Sequence, residues 1–383
     1  MDSFSSSPGS GSSFLSLEDK SASVIWGCEL NDRTRKCVVE EDDDLLEHFI
    51  CLRTMLPTFG IVFKAYEMLK QWLSFQFPRP TTDTGVPLDV YRADPSPRKV
   101  CLGHAGCLTD RVDEVWIPPV VQRILLQIPQ DPTLDHEYLP ELGMTEFTRA
   151  AMELIIGKNS HALLENRAGG IHTVGGPAAV WIAAEFLQRW YKPTTSNPAT
   201  IYIAVPQLGD IGCIFQVAGF TDIRSYHYWD PIKLAVDTEG FLEEMQNAPE
   251  SSIVFLHAPE EMGLAPQGWE KVAAVMQKRH LFPFFEIEAQ GLASGNLDKD
   301  AWAVRYFVDN GFELLCAQSF SKIFGLYDDR VGNLVVVTKD NETLIRIQSQ
   351  VAKLIAVSWF CPTNLGGRVI AMVLTCPALR YEW

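Results

Sequence analysis

The chain has 383 residues, 47% of them hydrophobic, with 32 Lys and Arg against 48 Asp and Glu and a net charge of −16. That length fills one large or two ordinary domains. Its densest basic stretch is Arg33-Thr34-Arg35-Lys36, too little to neutralise a phosphate backbone, and apolar runs such as Leu56 to Phe63 fall short of the ~20 residues of a spanning helix, so neither nucleic acid nor membrane is expected as a partner.

In chain order, a Ser/Gly tract from Ser3 to Ser13 predicts a disordered leader, and the acidic run Glu40 to Asp44 a solvated segment. Leu45 to Phe77 carries Leu, Ile and Phe at three- and four-residue spacing, which predicts one or two helices. Pro78, Pro80 and the polar run to Gly85 read as a linker, so residues 1–85 are set apart from a domain over 86–383. From about Ala150 onward, apolar β-branched runs alternate with amphipathic patterns. Helices are predicted over Ala178 to Trp190, Thr238 to Gln246, Gly268 to His280, Asp300 to Val308 and Asn341 to Val357. Strands are predicted over Thr200 to Val205, Ile223 to Tyr226, Ser252 to His257, Leu281 to Phe285, Glu313 to Gln318 and Asn333 to Thr338. Buried strands separated by helices of this length imply βαβ crossovers, hence an α/β fold with a mostly parallel sheet covered on both faces.

The nine cysteines are odd in number, scattered and without a C-x-x-C, and read as reduced thiols. With no basic n-region leading an apolar core at the N-terminus, a cytoplasmic address is expected. No metal site is indicated: the eight histidines form no H-x-x-x-H pair, and His136, His172 and His257 read as isolated, structural residues. Tyr226-His227-Tyr228-Trp229 reads as packing.

Ligands of open parallel sheets bind outside the carboxyl ends of the strands, which directs attention to the residues that follow each run. There lie Glu286 after one strand, Ser319-Phe320-Ser321-Lys322 after another, Arg330 soon after, Pro206-Gln207-Leu208 after a third, and the turn-like Gly169-Gly170 and Gly175-Gly176 before a helix. Singly, each is ordinary turn or surface chemistry. Together they supply an amine, an arginine, two hydroxyls, backbone N–H donors at a helix N-terminus and a carboxylate opposite. That set can hold a phosphorylated aldehyde and pair with a ring nitrogen, which is the equipment of a pyridoxal 5'-phosphate site.

The runs Phe282-Pro283-Phe284-Phe285-Glu286, Gln290 to Leu297, Asp300-Ala301-Trp302-Ala303, Ala317 to Lys322, Phe324 to Tyr327, Arg330 to Asn333 and His136 to Pro140 resemble the cytosolic aspartate aminotransferases over about residues 86–383, and most of all a divergent paralogue in that family. The resemblance implies the large domain of the pyridoxal phosphate-dependent transferases and transamination between an amino acid of the aspartate or glutamate type and a 2-oxo acid. It makes Lys322 the catalytic Schiff-base lysine, gives the phosphate to Ser319, Arg330 and the Gly175-Gly176 turn, and gives the ring nitrogen to Glu286. It also takes Tyr138 to the cofactor of a neighbouring subunit, which implies a homodimer.

The same resemblance exposes departures. Glu286 stands where the family has aspartate, Ala289 where it has a tyrosine that donates to the ring oxygen, and Leu208 where it has the ring-stacking tryptophan. Pro177 replaces a phosphate-loop threonine, Ala356 replaces the arginine that the other subunit offers to the substrate's side-chain carboxylate, and the loop Pro259 to Gly263 has no counterpart of the family's H-N-P-T-G asparagine. The chain stops at Trp383, inside the family's pattern, so an incomplete small domain is expected, with apolar surface left bare around Val369 to Leu374. Two readings follow: a transaminase of weakened or lost activity, and a non-catalytic paralogue serving as a subunit partner or cofactor-binding remnant.

Overall fold

The structure is a computed structural model that describes residues 93–96 and 115–383, except 133, 135, 136, 192–198, 206, 207, 231, 234 and 259–263. The Ser/Gly leader, the acidic run, the helices of Leu45 to Phe77, the linker to Gly85, His136, Gln207 and the loop Pro259 to Gly263 lie outside the described residues. The chain divides into two compact units, Met1–Lys99 and Val100–Trp383. Of the first only residues 93–96 are described, and the second carries the architecture that follows.

It opens on α1 (Pro119–Gln127), α2 (Thr145–Ile156) and α3 (His161–Leu164). Then come β1 (Ala168–Val174), α4 (Gly176–Trp190), β2 (Thr200–Ala204), α5 (Leu208–Val217), β3 (Asp222–Tyr226), a small ribbon of β4 (Trp229–Asp230) with β5 (Ala235–Val236), and α6 (Thr238–Asn247). The chain continues through β6 (Ile253–His257), α7 (Pro266–Lys278), β7 (Phe282–Ile287), α8 (Leu297–Asp300), α9 (Trp302–Asp309), β8 (Leu314–Ser319) and α10 (Ser321–Phe324). It ends with β9 (Val331–Val337), α11 (Asn341–Ala356), α12 (Asn364–Thr375) and α13 (Pro377–Glu382). Proline opens α1, α4, α7 and α13, where its missing N–H is no loss. Asp237 and Asp340 cap α6 and α11 by accepting from Gly240 and Thr343 N–H.

The seven-stranded sheet runs β1-β9-β8-β7-β6-β2-β3. Pairing is parallel from β8 through β7, β6 and β2 to β3, while β9 lies antiparallel between β1 and β8. The α/β expectation therefore holds, with one reversed strand. Alternation along the strands splits the core in two. Ile171, Phe255, Phe284, Leu315, Ala317 and Leu334 pack under α4 and α11, and Leu256, Phe285, Cys316 and Val335 pack under α7 and α9.

The predicted bounds shift in informative places. The helix expected over Asp300 to Val308 is two, α8 and α9, divided at Ala301. Gly169-Gly170 is strand β1 rather than turn: a Cβ at Gly169 would fall 2.5 Å from Gln348, and one at Gly170 2.8 Å from Thr148, so glycine here permits close helix–sheet approach. The bare apolar surface expected around Val369 to Leu374 is not found. Val369, Ile370, Ala371, Val373 and Leu374 are all buried, in a third core with Val121 and Ile124 of α1, Phe147 and Leu154 of α2 and Phe324 of α10. Trp383 stacks on Phe324 at 4.6 Å, and Arg123 pairs with Glu382 at 2.6 Å, closing that helical layer. The described cysteines Cys213, Cys316, Cys361 and Cys376 are free thiols.

Candidate functional site

Strand directions gather the chemistry at one edge. Ser319 ends β8 and lies opposite Gly332, at the start of the antiparallel β9; Val174, at the end of β1, lies opposite Val331. The carboxyl ends of β1, β6, β7 and β8 and the amino end of β9 thus share an edge, which brings the turn Gly175-Gly176 together with Ser319 and Arg330. A buried amide relay fixes the register beneath it: Asn333 Nδ2 donates to Gln318 Oε1 at 2.8 Å, and Gln318 Nε2 donates to the Ala151 carbonyl of α2 at 3.1 Å.

The turn between β1 and α4 depends on three glycines. Gly175 has φ +83°, and a Cβ there would lie 3.3 Å from Arg330 Nη2. At Gly176 it would lie 3.0 Å from Ser319 Cβ, and at Gly332 2.4 Å from the carbonyl carbon and oxygen of Gly175. Thr173 Oγ1 donates to the Gly175 carbonyl at 3.0 Å and holds the turn from below. Above it α4 runs for 15 residues, so its first N–H groups and the positive end of its dipole point where the serine hydroxyl and the guanidinium converge. Such an arrangement can hold an anion. Pro177, exposed in the first turn, contributes no donor to it.

Glu286 does not follow its strand, as the sequence pattern suggests, but lies within β7, between His257 of β6 and Ala317 of β8. Pairing with β8 carries the ladder on to Ile287. Its side chain is 6% exposed, and its Oε2 faces His257 Nδ1 at 3.1 Å. His257 is therefore not the isolated histidine expected. At the exit of the same strand, Glu288 Oε2 accepts from Lys322 Nζ at 2.7 Å, with the two side chains 36% and 42% exposed. Lys322 sits in α10, one turn beyond Ser319.

The remaining singled-out residues lie in other settings. Tyr138 shares none of these contacts among the described residues; it is 74% exposed, with its ring edge-on to Phe360 at 5.5 Å. Ala356 ends α11 on the exposed surface, Leu208 opens α5, and Ala289 is half-buried with its carbonyl accepting from Leu292 N–H. Sequence reasoning missed Glu288 and the Glu286–His257 pair. Both carried a signal: Glu288 lies two positions beyond Glu286 at the strand exit, and His257 ends the strand beside it. No described helix is long and apolar enough to cross a membrane.

The sequence profile of the class I and II aminotransferases matches residues 113–381. The cytoplasmic aspartate aminotransferase of Gallus gallus is 46% identical over 297 residues, covering 76% of this chain and 72% of that protein. A Homo sapiens protein named "Putative aspartate aminotransferase, cytoplasmic 2" is 40% identical over 296 residues, 77% and 69% of the two chains. Among solved structures, the broad specificity aminotransferase from Leishmania mexicana superposes with a TM-score of 0.73 at 31% identity, over 82% of this chain and 76% of that one. An aromatic-amino-acid aminotransferase from Burkholderia pseudomallei, covalently bound to pyridoxal phosphate, gives 0.72 at 29% identity over 79% and 75%.

Proposed function

From its membership of the class I and II aminotransferases, we propose that this chain is an aspartate aminotransferase-like transaminase, moving an amino group between an L-amino acid of the aspartate or glutamate type and a 2-oxo acid, with activity weakened or lost relative to its relatives. The observation that carries the reading is the cradle at the N-terminus of α4, where Gly175 and Gly176 meet Arg330 and Ser319.

The family's cofactor is pyridoxal phosphate, and the donor set fits it. The N–H groups of Gly176 and Ala178, the Ser319 hydroxyl and the Arg330 guanidinium suit a phosphate dianion. Buried Glu286, steadied by His257, suits a protonated ring nitrogen. Lys322, one turn beyond Ser319, is the amine that would anchor the cofactor and move a proton at the substrate α-carbon. When bound, the cofactor supplies a ring that takes up the electron pair left at that carbon. The exposed Tyr138–Phe360 pair supports a homodimer in which Tyr138 serves the partner's site, and the relatives' names support a cytoplasmic address.

Weakened activity follows from the chain's own residues. Ala289 has no hydroxyl to offer the ring oxygen, Glu286 reaches one methylene further than an aspartate, and a ~1 Å misplacement costs roughly a hundredfold in rate. Ala356 brings no cation to a dicarboxylate. The second reading, a non-catalytic paralogue, is favoured by one observation: the Lys322 amine is held by Glu288. The test is an absorption titration of the purified protein with pyridoxal phosphate, borohydride trapping and peptide mapping, with Lys322→Ala as control. Cofactor trapped on Lys322, followed by slow amino exchange between aspartate and 2-oxoglutarate, supports the transaminase; trapping without exchange supports the paralogue. No cofactor on folded protein overturns the cofactor site.

A further inference from the structure

We propose that Glu288 is a built-in competitor for the Lys322 amine, so that cofactor capture in this chain requires the Glu288–Lys322 ion pair to open. The inference rests on the cofactor reading above and deepens it.

Lys322 can form a covalent bond to an aldehyde only as the neutral amine. The ammonium must first give its proton to solvent; the amine then adds to the aldehyde carbon, and the carbonyl oxygen leaves as water. Glu288 opposes the first of these events. Its Oε2 lies 2.7 Å from Nζ, a charge-assisted contact that favours the ammonium and fixes the side chain toward β7. Glu286, two residues earlier on β7, is taken up by His257 of β6, and Arg330 lies against Gly175 on the β9 side of the cradle. Glu288 also stands on a supported loop, since Asp300 accepts from Gly291 N–H at 2.6 Å and from Ser294 N–H at 3.2 Å immediately beyond it.

The pair is partly exposed, so solvent screens it and it acts as a brake rather than a lock. An exposed pair of this kind changes an equilibrium by about two- to fivefold. Release therefore costs little.

Two measurements on the full chain separate the inference from the reading beneath it. The first needs no cofactor: competitive labelling of lysines with acetic anhydride across pH, read by peptide mass spectrometry. In Glu288→Gln and Glu288→Ala, Lys322 should label about two- to fivefold faster near neutral pH with its labelling profile displaced to lower pH, while Glu288→Asp keeps a slowed Lys322 and the other lysines are unchanged. The second is titration with pyridoxal phosphate and borohydride trapping, in which Glu288→Gln should bind about two- to fivefold more tightly than the parent. Unchanged Lys322 labelling in Glu288→Gln overturns the inference whatever the cofactor does. Faster labelling and trapping in the parent protein, with no gain in cofactor affinity in the variant, also overturns it. Faster labelling with no trapping in any protein leaves the ion pair real but removes the cofactor reading, and the competitor role with it.

Discussion

His172 makes the fold sensitive to acid in a way that can be worked out from its surroundings. It lies in β1 with no exposed surface, its ring 4.4 Å from that of Phe147. A Cβ added at Gly143 would fall 2.1 Å from its Cβ, and one at Gly367 2.5 Å from its Cε1, so backbone presses on it from two sides. Neither ring nitrogen has a hydrogen-bond partner among the described residues. Burial holds its pKa down to about 3, from an ordinary value of 6.5. Between those values the unfolded chain binds the proton and the folded chain does not, so stability falls as pH falls, by about 1.4 kcal/mol per unit, and levels off below about 3. From pH 7.5 to 5.0 the loss is about 2 kcal/mol, a large part of the roughly 5–15 kcal/mol typical of a folded protein. The perturbation is His172→Leu, which keeps an apolar filling of similar size and removes both nitrogens. Urea unfolding of the parent and the variant at the two pH values is the assay, because other titrating groups cancel in the difference of differences. The parent should lose about 2 kcal/mol more than the variant over this interval. Equal losses would refute the reasoning and show that the ring takes up a proton while folded.

Two further outcomes bear on the site. Gly332→Ala places a Cβ 2.4 Å from the Gly175 backbone, so the turn must yield; overpacking of this kind costs about 1–3 kcal/mol, and cofactor titration should show at least about tenfold weaker binding together with a lower melting temperature. Asp300→Ala removes the acceptor of two backbone N–H groups in the loop that follows Glu288; the expected loss is about 1–3 kcal/mol by denaturant unfolding, and no measurable loss would mean that the loop reorganises at no cost.

The legible part of the molecule is the part governed by periodicity and by strand ends. Apolar runs interrupted by amphipathic stretches announce most of the sheet and its helices; the position after one run marks Ser319 and Lys322, with Arg330 soon after, and glycines before a helix mark Gly175-Gly176, all of which the structure sets along one edge. What resisted reading depends on partners distant in sequence. Glycine serves both turns and close approaches, so Gly169-Gly170 reads as a turn until Gln348 and Thr148 are seen against it. A carboxylate after the run Leu281 to Phe285 reads as a strand exit until His257 is found beside Glu286. The fate of Val369 to Leu374 turned on α1 and α2, more than two hundred positions earlier in the chain for the residues that cover it.

The antiparallel β9, wedged between β1 and β8, also sets the order in which this molecule can come into being. Arg167 and Thr338, which meet just beyond the β1–β9 ladder, are 171 positions apart, and the ladder itself joins Ala168 to Val337. On a ribosome β1 is made early, with its partner still unsynthesised, and its Gly175 turn waits for Arg330 and Gly332 to arrive. Closure over so long a loop is slow, and the unpaired edge of β1 stays open to wrong partners for the whole interval. The turn at Gly175-Gly176 can therefore meet Arg330 and Gly332 only after β9 has been made, so its final shape waits on a strand more than 150 residues downstream.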